Sequence, residues 1–307
     1  MMNNDEIYNQ LIQITNKENV FRDEPLRAHT LTKIGGSADF LVTPESYNEV
    51  ADIVKLKNSH NFSFMLLGNG SNMIIRDGGI RGVVLNMKKL SKVYVENDKL
   101  IAQGGADIKD ASQLALQQEL AGLEFACGIP GSIGGAMIMN AGAYGGEVKD
   151  VIDYVKVVNR AGELLTLYKG ELELNYRSSI LGKNQDIVLE ATFQLEKGEP
   201  LLIKEKVDDF TFQRESKQPL EYPSVGSVFK RPPGYFAGKL IQDSGLQGKG
   251  VGGAEVSLKH AGFIINRREA TASDYIATIK MVQDKVRENF GVELELEAKI
   301  VGVDKIE

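Results

Sequence analysis

Apolar and polar positions divide the chain into short periodic stretches. Asn4–Ile14 keeps Ile7, Leu11 and Ile14 on one face, which predicts a helix. After Gly35-Gly36 a strand is predicted over 38–43, and Thr43-Pro44 reads as a helix cap followed by proline at the first helical position. The helix so opened keeps Val50, Ile53 and Val54 together, and strands are predicted over 62–67 and 82–86. Between those strands lies the small-residue run GNGSN at 68–72. Strand, helix, strand with such a loop at a strand's carboxyl end is where an α/β sheet commonly binds a ligand.

From Leu90 the pattern shortens. Strands are predicted over 93–96 and 100–103, then a helix over 108–119 with Asp107 as its cap and Ala111, Leu114 and Ala115 inward. Strands over 151–159 and 164–168 flank Arg160-Ala161-Gly162-Glu163, a hairpin pattern, and another strand covers 187–195. This section reads as α+β and largely antiparallel. A helix from about Leu201 carries Ile203, Val207 and Phe210 and must end before Pro219. Ser227 follows Gly226 where a strand begins. The last long helix opens on the capping pattern Thr271-x-x-Asp274, turns Ile276, Ile279, Val282 and Val286 inward and stops before Gly291. A strand over 292–301 then places Glu293, Glu295 and Glu297 on one face, as a solvated edge would.

One stretch breaks the periodicity. GLEFACGIPGSIGGAMIMNAGAYGG at 122–146 has no charge but Glu124, and its glycines are too dense for helix or strand propensity. Such a run suits backbone packed closely on another backbone or on a flat cofactor, with Pro130 fixing its direction. The run at 68–72 suits converging N–H groups around a diphosphate, or a plain tight turn. It lacks the ending of a Walker loop, and Met73 stands where a dinucleotide fingerprint needs its last glycine.

Composition narrows the classes. The 307 residues are enough for two or three cores, and 25% charged with 42% hydrophobic residues are the fractions of a soluble globular chain. A net charge of -6 without a basic, aromatic-studded stripe argues against nucleic acid. A single cysteine, Cys127, excludes an internal disulfide, and the three histidines, His29, His60 and His260, show no metal spacing. The acidic, polar opening MMNNDEIYNQ is neither a signal nor a transit peptide, and no run reaches transmembrane length, so a cytoplasmic protein with no membrane partner is expected.

Several motifs taken together resemble one family. GNGSN at 68–72, GIPGSIGGAMIMNAGAYGG at 128–146, NYRSS at 175–179, RESKQP at 214–219, GSVFKRP at 226–232 and LEAKIVG at 296–302 are similar, in order, to UDP-N-acetylenolpyruvoylglucosamine reductases, the flavoenzymes that make UDP-N-acetylmuramate for peptidoglycan. The likeness spans nearly the whole chain. It is to the shorter subclass, because no long insertion with a tyrosine loop separates Arg177 from Ile187.

The resemblance implies an α+β FAD-binding fold of the vanillyl-alcohol-oxidase (PCMH) type in two subdomains, 1–88 and 89–200, plus a C-terminal α/β substrate-binding domain over 201–307. It implies non-covalent FAD held by Leu67, Gly68, Asn69, Gly70, Ser71 and Asn72 at the pyrophosphate and by Gly104, Gly128, Ile129, Pro130, Ser132, Ile133, Gly135, Ala136, Asn140, Ala141, Gly142 and Val188 elsewhere. NADPH is implied as co-substrate and UDP-N-acetylglucosamine enolpyruvate as substrate, with a monomer expected. Hydride would reach C3 of the enolpyruvyl group. Arg177 and Glu297 would then stabilise the enolate, and Ser227 would protonate C2 with Lys230 as supporting charge. Tyr176, Arg214, Lys217, Lys230 and Arg231 would bind the nucleotide substrates. The cations Arg214 and Lys217 also fit a plain complement to a helix dipole, and Glu297 a solvated glutamate. Lys299 stands where many members carry arginine, and a lysine offers a point charge without the bidentate fork. Two rivals remain: an oxidase of the same fold, with Cys127 beside the flavin stretch, and a non-enzymatic nucleotide-binding module.

Overall fold

The computed structural model describes residues 2–305. The chain forms two compact units, the first from the stretch up to Arg22 with 40–69 and 82–214, the second from 23–39, 70–81 and the stretch from Glu215 onwards. It passes from one to the other between Asn69 and Gly70, inside the GNGSN run.

In the first unit, helix Asn4–Ile14 forms as predicted because Asn3 and Glu6 close a capping box and Ile7 and Leu11 bury one face. The second helix starts later than expected, at Tyr47–His60, with Ser46 as cap. Ser46 Oγ accepts the Glu49 N–H at 3.2 Å, and the Glu49 carboxylate takes the Ser46 hydroxyl at 3.0 Å and the Glu45 N–H at 3.0 Å. Thr43 is instead fully buried in the connection. Both helices join Phe40, Val42, Val83, Leu85 and Leu189 in one core, where each fully buried aliphatic or aromatic side chain contributes about 1.5–3 kcal/mol.

A five-stranded antiparallel sheet dominates the unit, in the order Leu164–Tyr168, Ile152–Val158, Ile187–Gln194, Lys99–Gln103, Val93–Glu96. Its central strand Ile187–Gln194 is buried at every position but the last. Helix Ile108–Gln117 is shorter than expected, because Glu119 takes a left-handed conformation at φ 58°. Its cap residue, Asp107, makes no capping bond with its side chain.

The glycine stretch also departs from the expectation of irregular backbone. Ile133–Met139 is a short helix, capped by Ser132 and ended by Asn140 at φ 43°. Burial of Ile133, Gly134, Ala136 and Met137 against the central strand overrides glycine's poor propensity. A Cβ on Gly134 would stand 3.1 Å from the Gly104 carbonyl, so the dense glycines let this helix lie close to the sheet. Helix Pro200–Lys217 ends before Pro219 as predicted, and Ile203 is its buried residue.

The second unit is a four-stranded antiparallel sheet in the order Ser224–Ser227, Phe263–Asn266, Ala254–Val256, Gly250–Val251. Helix Ala272–Phe290 covers it, burying Tyr275, Ile279, Val282 and Val286, with the predicted box at Thr271 and Asp274 and Gly291 closing it at φ 67°. Asp77 adds a cap from a distant part of the chain: its carboxylate accepts the N–H groups of Ala272 and Ser273 at 2.8 and 2.9 Å and the Ser273 hydroxyl at 2.6 Å. The predicted strand over 292–301 is reduced to Lys299–Val301, which runs parallel to Met73–Ile75. It cannot extend back as a ladder, since the N–H groups of Glu297 and Ala298 both turn to one acceptor, the Val228 carbonyl, at 2.9 and 3.3 Å. No described helix is long and apolar enough to cross a membrane, and no group of described His, Cys, Asp and Glu side chains could hold a metal ion.

Candidate active site

In the first unit the sequence-predicted cofactor residues converge. The Gly104 N–H donates to the Leu189 carbonyl and the Gly134 N–H to the Gly104 carbonyl, both at 2.8 Å. A Cβ on Gly104 would fall 2.0 Å from the Val188 carbonyl oxygen. Ser132 is buried, its Oγ accepts the Gly135 N–H at 3.3 Å, and a Cβ on Gly68 would sit 2.5 Å from that oxygen. Gly68, Gly104, Ser132, Gly135 and Val188 therefore share a wall from which side chains have been removed. Two amides hold its edge: Asn86 Nδ2 donates to the Gly68 carbonyl at 3.3 Å, and Asn69 Nδ2 donates to the Asp107 carboxylate. Neither pairing follows from spacing in the sequence, and the second occupies the carboxylate that was expected to cap the following helix.

Asn140 is buried and its amide serves the neighbouring loops. Nδ2 donates to Glu147 Oε2 at 2.8 Å and to the Asn175 carbonyl at 3.3 Å, and Oδ1 accepts the Lys149 N–H at 3.0 Å. Ser179 Oγ donates to the Ile138 carbonyl at 2.8 Å, which ties the NYRSS segment to the glycine helix from its other end. Held between these anchors, Asn175 and Ser178 exchange backbone hydrogen bonds at 3.0 and 3.1 Å. Arg177 is half-buried at φ 53°, with its guanidinium 5.4 Å from the Tyr176 ring centroid. A non-glycine residue in that region costs on the order of 1–3 kcal/mol and persists where the surroundings over-determine it. The segment leads directly into the five-residue helix Ile180–Asn184.

Arg214 is a half-buried cation of the first unit. Its stem fills the space above Gly128, where a Cβ would meet Arg214 Cδ at 2.5 Å. Burial pushes its guanidinium below the ordinary arginine value, offset in part by Tyr144 and Cys127, and no described carboxylate pairs with it. Tyr144 stacks on Phe210 at 4.5 Å, which fixes the helix that carries Arg214. The Cys127 sulfur faces the same helix, 3.8 Å from the Val207 carbonyl and 3.7 Å from Thr211 Oγ1.

The second unit gathers the remaining groups along Ser227–Val228. Ser227 closes its strand, where the sequence suggested it would open one, and pairs with Phe263. The Val228 carbonyl accepts the Glu297 N–H at 2.9 Å, so Ser227 and Glu297 lie on adjoining segments. Of the three alternating glutamates, Glu293 and Glu295 are exposed and Glu297 is half-buried, which sets it apart from the solvated edge. Asn72 fixes that segment twice: its Nδ2 donates to the Glu297 carbonyl at 3.1 Å, and its own carbonyl accepts the Lys299 N–H at 3.0 Å. Lys230 pairs its ammonium with the Glu295 carboxylate, Lys299 is exposed, and Arg231 stacks its guanidinium 4.0 Å from the Phe236 ring centroid. Lys217, the last residue of its helix, is exposed.

Gly70 stands at φ 59°, and a Cβ there would lie 2.5 Å from the His29 carbonyl oxygen. The N–H groups of Gly70, Ser71 and Asn72 donate to no described acceptor. Unpartnered donors on a loop that admits no side chain at Gly70 are what an anionic diphosphate requires, so these residues fit FAD.

Comparison with known proteins defines the class, a flavin-dependent oxidoreductase. Residues 38–168 match the FAD binding domain family, and 218–301 match the C-terminal domain of UDP-N-acetylenolpyruvoylglucosamine reductase. The chain is 66% identical to the UDP-N-acetylenolpyruvoylglucosamine reductase of Geobacillus thermodenitrificans over 298 residues, covering 97% of this chain and 98% of that one. It is 60% identical to that of Oceanobacillus iheyensis, covering 98% of each. The crystal structure of the Thermus caldophilus reductase superimposes with a TM-score of 0.77 at 31% identity, over 92% of this chain and 97% of that one. The chain belongs to the UDP-N-acetylenolpyruvoylglucosamine reductase family.

Proposed function

We propose that this chain reduces UDP-N-acetylglucosamine enolpyruvate to UDP-N-acetylmuramate with NADPH as the electron source, as a cytoplasmic monomer supplying precursor for the cell wall and so for cell shape and division. FAD, held by the run at 68–72 and the glycine wall around Gly104 and Ser132, would supply hydride transfer between NADPH and C3 of the enolpyruvyl group. The chain's own residues deal with the charge that follows. Arg177, oriented by the Asn140 and Ser179 anchors, faces the negative charge gathering on C2 and its carboxylate. Glu297, half-buried where Glu293 and Glu295 are exposed, shares in stabilising the enol form. Ser227 gives its hydroxyl proton to C2. Arg214, Lys217 and Arg231 bind the diphosphates of the nucleotide substrates, and Tyr176 offers its exposed ring beside Arg177.

The observation that carries this reading is the adjoining of Ser227 and Glu297 through the Val228 carbonyl, in the unit that matches the reductase C-terminal domain. The Cys127 sulfur turned to the Pro200–Lys217 helix favours non-covalent flavin over the oxidase alternative. Anaerobic NADPH should bleach the flavin bands of the purified protein, and the enolpyruvyl substrate should restore them. Bleaching without restoration by that substrate would overturn the reading, as would flavin that stays with the protein after acid precipitation.

A further inference from the structure

The loop joining Ala254–Val256 to Phe263–Asn266 lies at the sheet end where Ser227 stands. The Val228 N–H donates to the Gly262 carbonyl at 3.1 Å, and Ser227 pairs with Phe263, so His260 to Gly262 adjoin the segment of the proposed proton donor. The loop is tightly built. The buried Ser257 hydroxyl oxygen accepts the N–H groups of Lys259 and His260 at 3.1 and 3.3 Å. Lys259 Nζ reaches the Glu215 carbonyl at 2.6 Å, which fastens the loop to the segment that carries Lys217.

Within this loop the His260 ring has one defined protonation pattern. Its Nδ1 accepts the Gly262 N–H at 3.1 Å, so that nitrogen must keep its lone pair, and the ring proton of a neutral imidazole sits on Nε2. Burial favours the neutral form. The ring meets Phe263 edge-on at 4.8 Å, and a Cβ on Gly262 would stand 3.0 Å from Cε1. Nε2–H has no described acceptor. A half-buried donor held this firmly, with Lys217 and Lys259 on adjoining segments, is arranged to meet an anionic oxygen.

We propose that His260 is a substrate-binding residue whose Nε2–H donates to a phosphate oxygen of the sugar nucleotide and so sets the enolpyruvyl group against Ser227. This rests on the reductase reaction proposed above. A neutral donor adds a directed bond where the lysines supply only charge.

Two substitutions separate binding from loop structure. His260→Asn places an amide oxygen where Nδ1 was and keeps the Gly262 bond, but it has no group at the Nε2 position. His260→Gln reaches the Nε2 position with an N–H and gives up the Gly262 bond. Titrating oxidised holoenzyme with UDP-N-acetylglucosamine enolpyruvate without NADPH, and following flavin absorbance, gives the dissociation constant directly. The expected result is a constant raised about ten- to a hundredfold in His260→Asn, the scale of one lost hydrogen bond to a charged group, and within about threefold of the parent in His260→Gln. Parent-like binding by His260→Asn, or binding by His260→Gln no better than by His260→Asn, would overturn the inference, as would failure of both variants to retain flavin. A parent protein that NADPH bleaches but the enolpyruvyl substrate neither binds nor reoxidises would instead remove the reaction itself.

Discussion

The glycine wall of the first unit and the Ser227 ledge of the second prepare for a bound molecule in opposite ways. The wall works by subtraction: Gly104 and Gly134 bring backbone up to backbone, Gly68 brings it up to the Ser132 hydroxyl, and a Cβ at any of them would crowd its neighbour. The ledge works by addition, placing a hydroxyl, a carboxylate and an imidazole on adjoining segments joined through Val228 and Phe263. A subtractive surface fails when atoms are added, and it fails in binding. An additive one fails when atoms are removed, and it fails in a single chemical step.

The largest effect should come from adding atoms to the loop between the units' sequences. Gly70→Val puts a branched side chain at φ 59°, where Cβ would lie 2.5 Å from the His29 carbonyl oxygen and 2.8 Å from Thr30 Cα. The purified variant should be folded by circular dichroism and colourless. A yellow protein with parental flavin content would show that the loop does not hold the diphosphate.

Removing atoms from the ledge should act more narrowly. Ser227→Ala should keep its flavin and its bleaching by NADPH, while reoxidation by enolpyruvyl substrate slows about 10² to 10⁴-fold. Stopped-flow absorbance separates the halves, and a variant reoxidised at the parental rate would assign the proton to another group.

A third substitution asks whether Arg177 depends on the scaffold beneath it. Asn140→Ala deletes the amide bonds to Glu147, Lys149 and the Asn175 carbonyl, which should lower stability by about 1–3 kcal/mol for the buried groups left unpaired. Reoxidation should also slow relative to bleaching, because the loop that orients Arg177 is loosened. Equal slowing of both halves would point to a general loss of packing.

The smallest effect concerns acid. Burial works against ionisation of Asp77, but the Ser273 hydroxyl and the N–H groups of Ala272 and Ser273 outweigh it and hold the carboxyl below its ordinary value. A group depressed on folding stabilises the protein above its unfolded pKa and loses that contribution as pH falls through the folded one. Melting temperature should therefore fall less steeply with acid in Asp77→Asn than in the parent below about pH 4. Parallel curves would show that the second cap on helix Ala272–Phe290 carries no net stability.

How much of this could be read beforehand differs between the two surfaces. Local devices were legible: the face of Asn4–Ile14, the box at Thr271 and Asp274 and the hairpin around Gly162 all depend on residues within a few positions of one another. The start at Ser46 was equally local, since Ser46-x-x-Glu49 is a capping pattern, and the neighbouring Thr43-Pro44 drew the reading away from it. The helix Ile133–Met139 was not legible, because glycine propensity opposes it and only the sheet beneath supplies the reason for it. The same holds for Asn69 with Asp107, and for Ser227, whose place at a strand's end depends on a partner at Phe263. Motif resemblance named Ser227 and Glu297 separately, and the contact that joins them is a backbone hydrogen bond to Val228, which side-chain identity does not encode.

The parallel pairing of Lys299–Val301 with Met73–Ile75 bears on the order in which this protein is made. Met73–Ile75 leaves the ribosome long before its partner strand Lys299–Val301 is made. The backbone groups of that early strand that pair with Lys299–Val301 must therefore wait for the whole intervening chain, and closing so long a loop is slow compared with local structure. During that interval Ile74 and Ile75, both fully buried at completion, are uncovered apolar surface. Translation that stops shortly before Lys299 should yield chains whose first unit is complete and whose second is a target for chaperones and proteases.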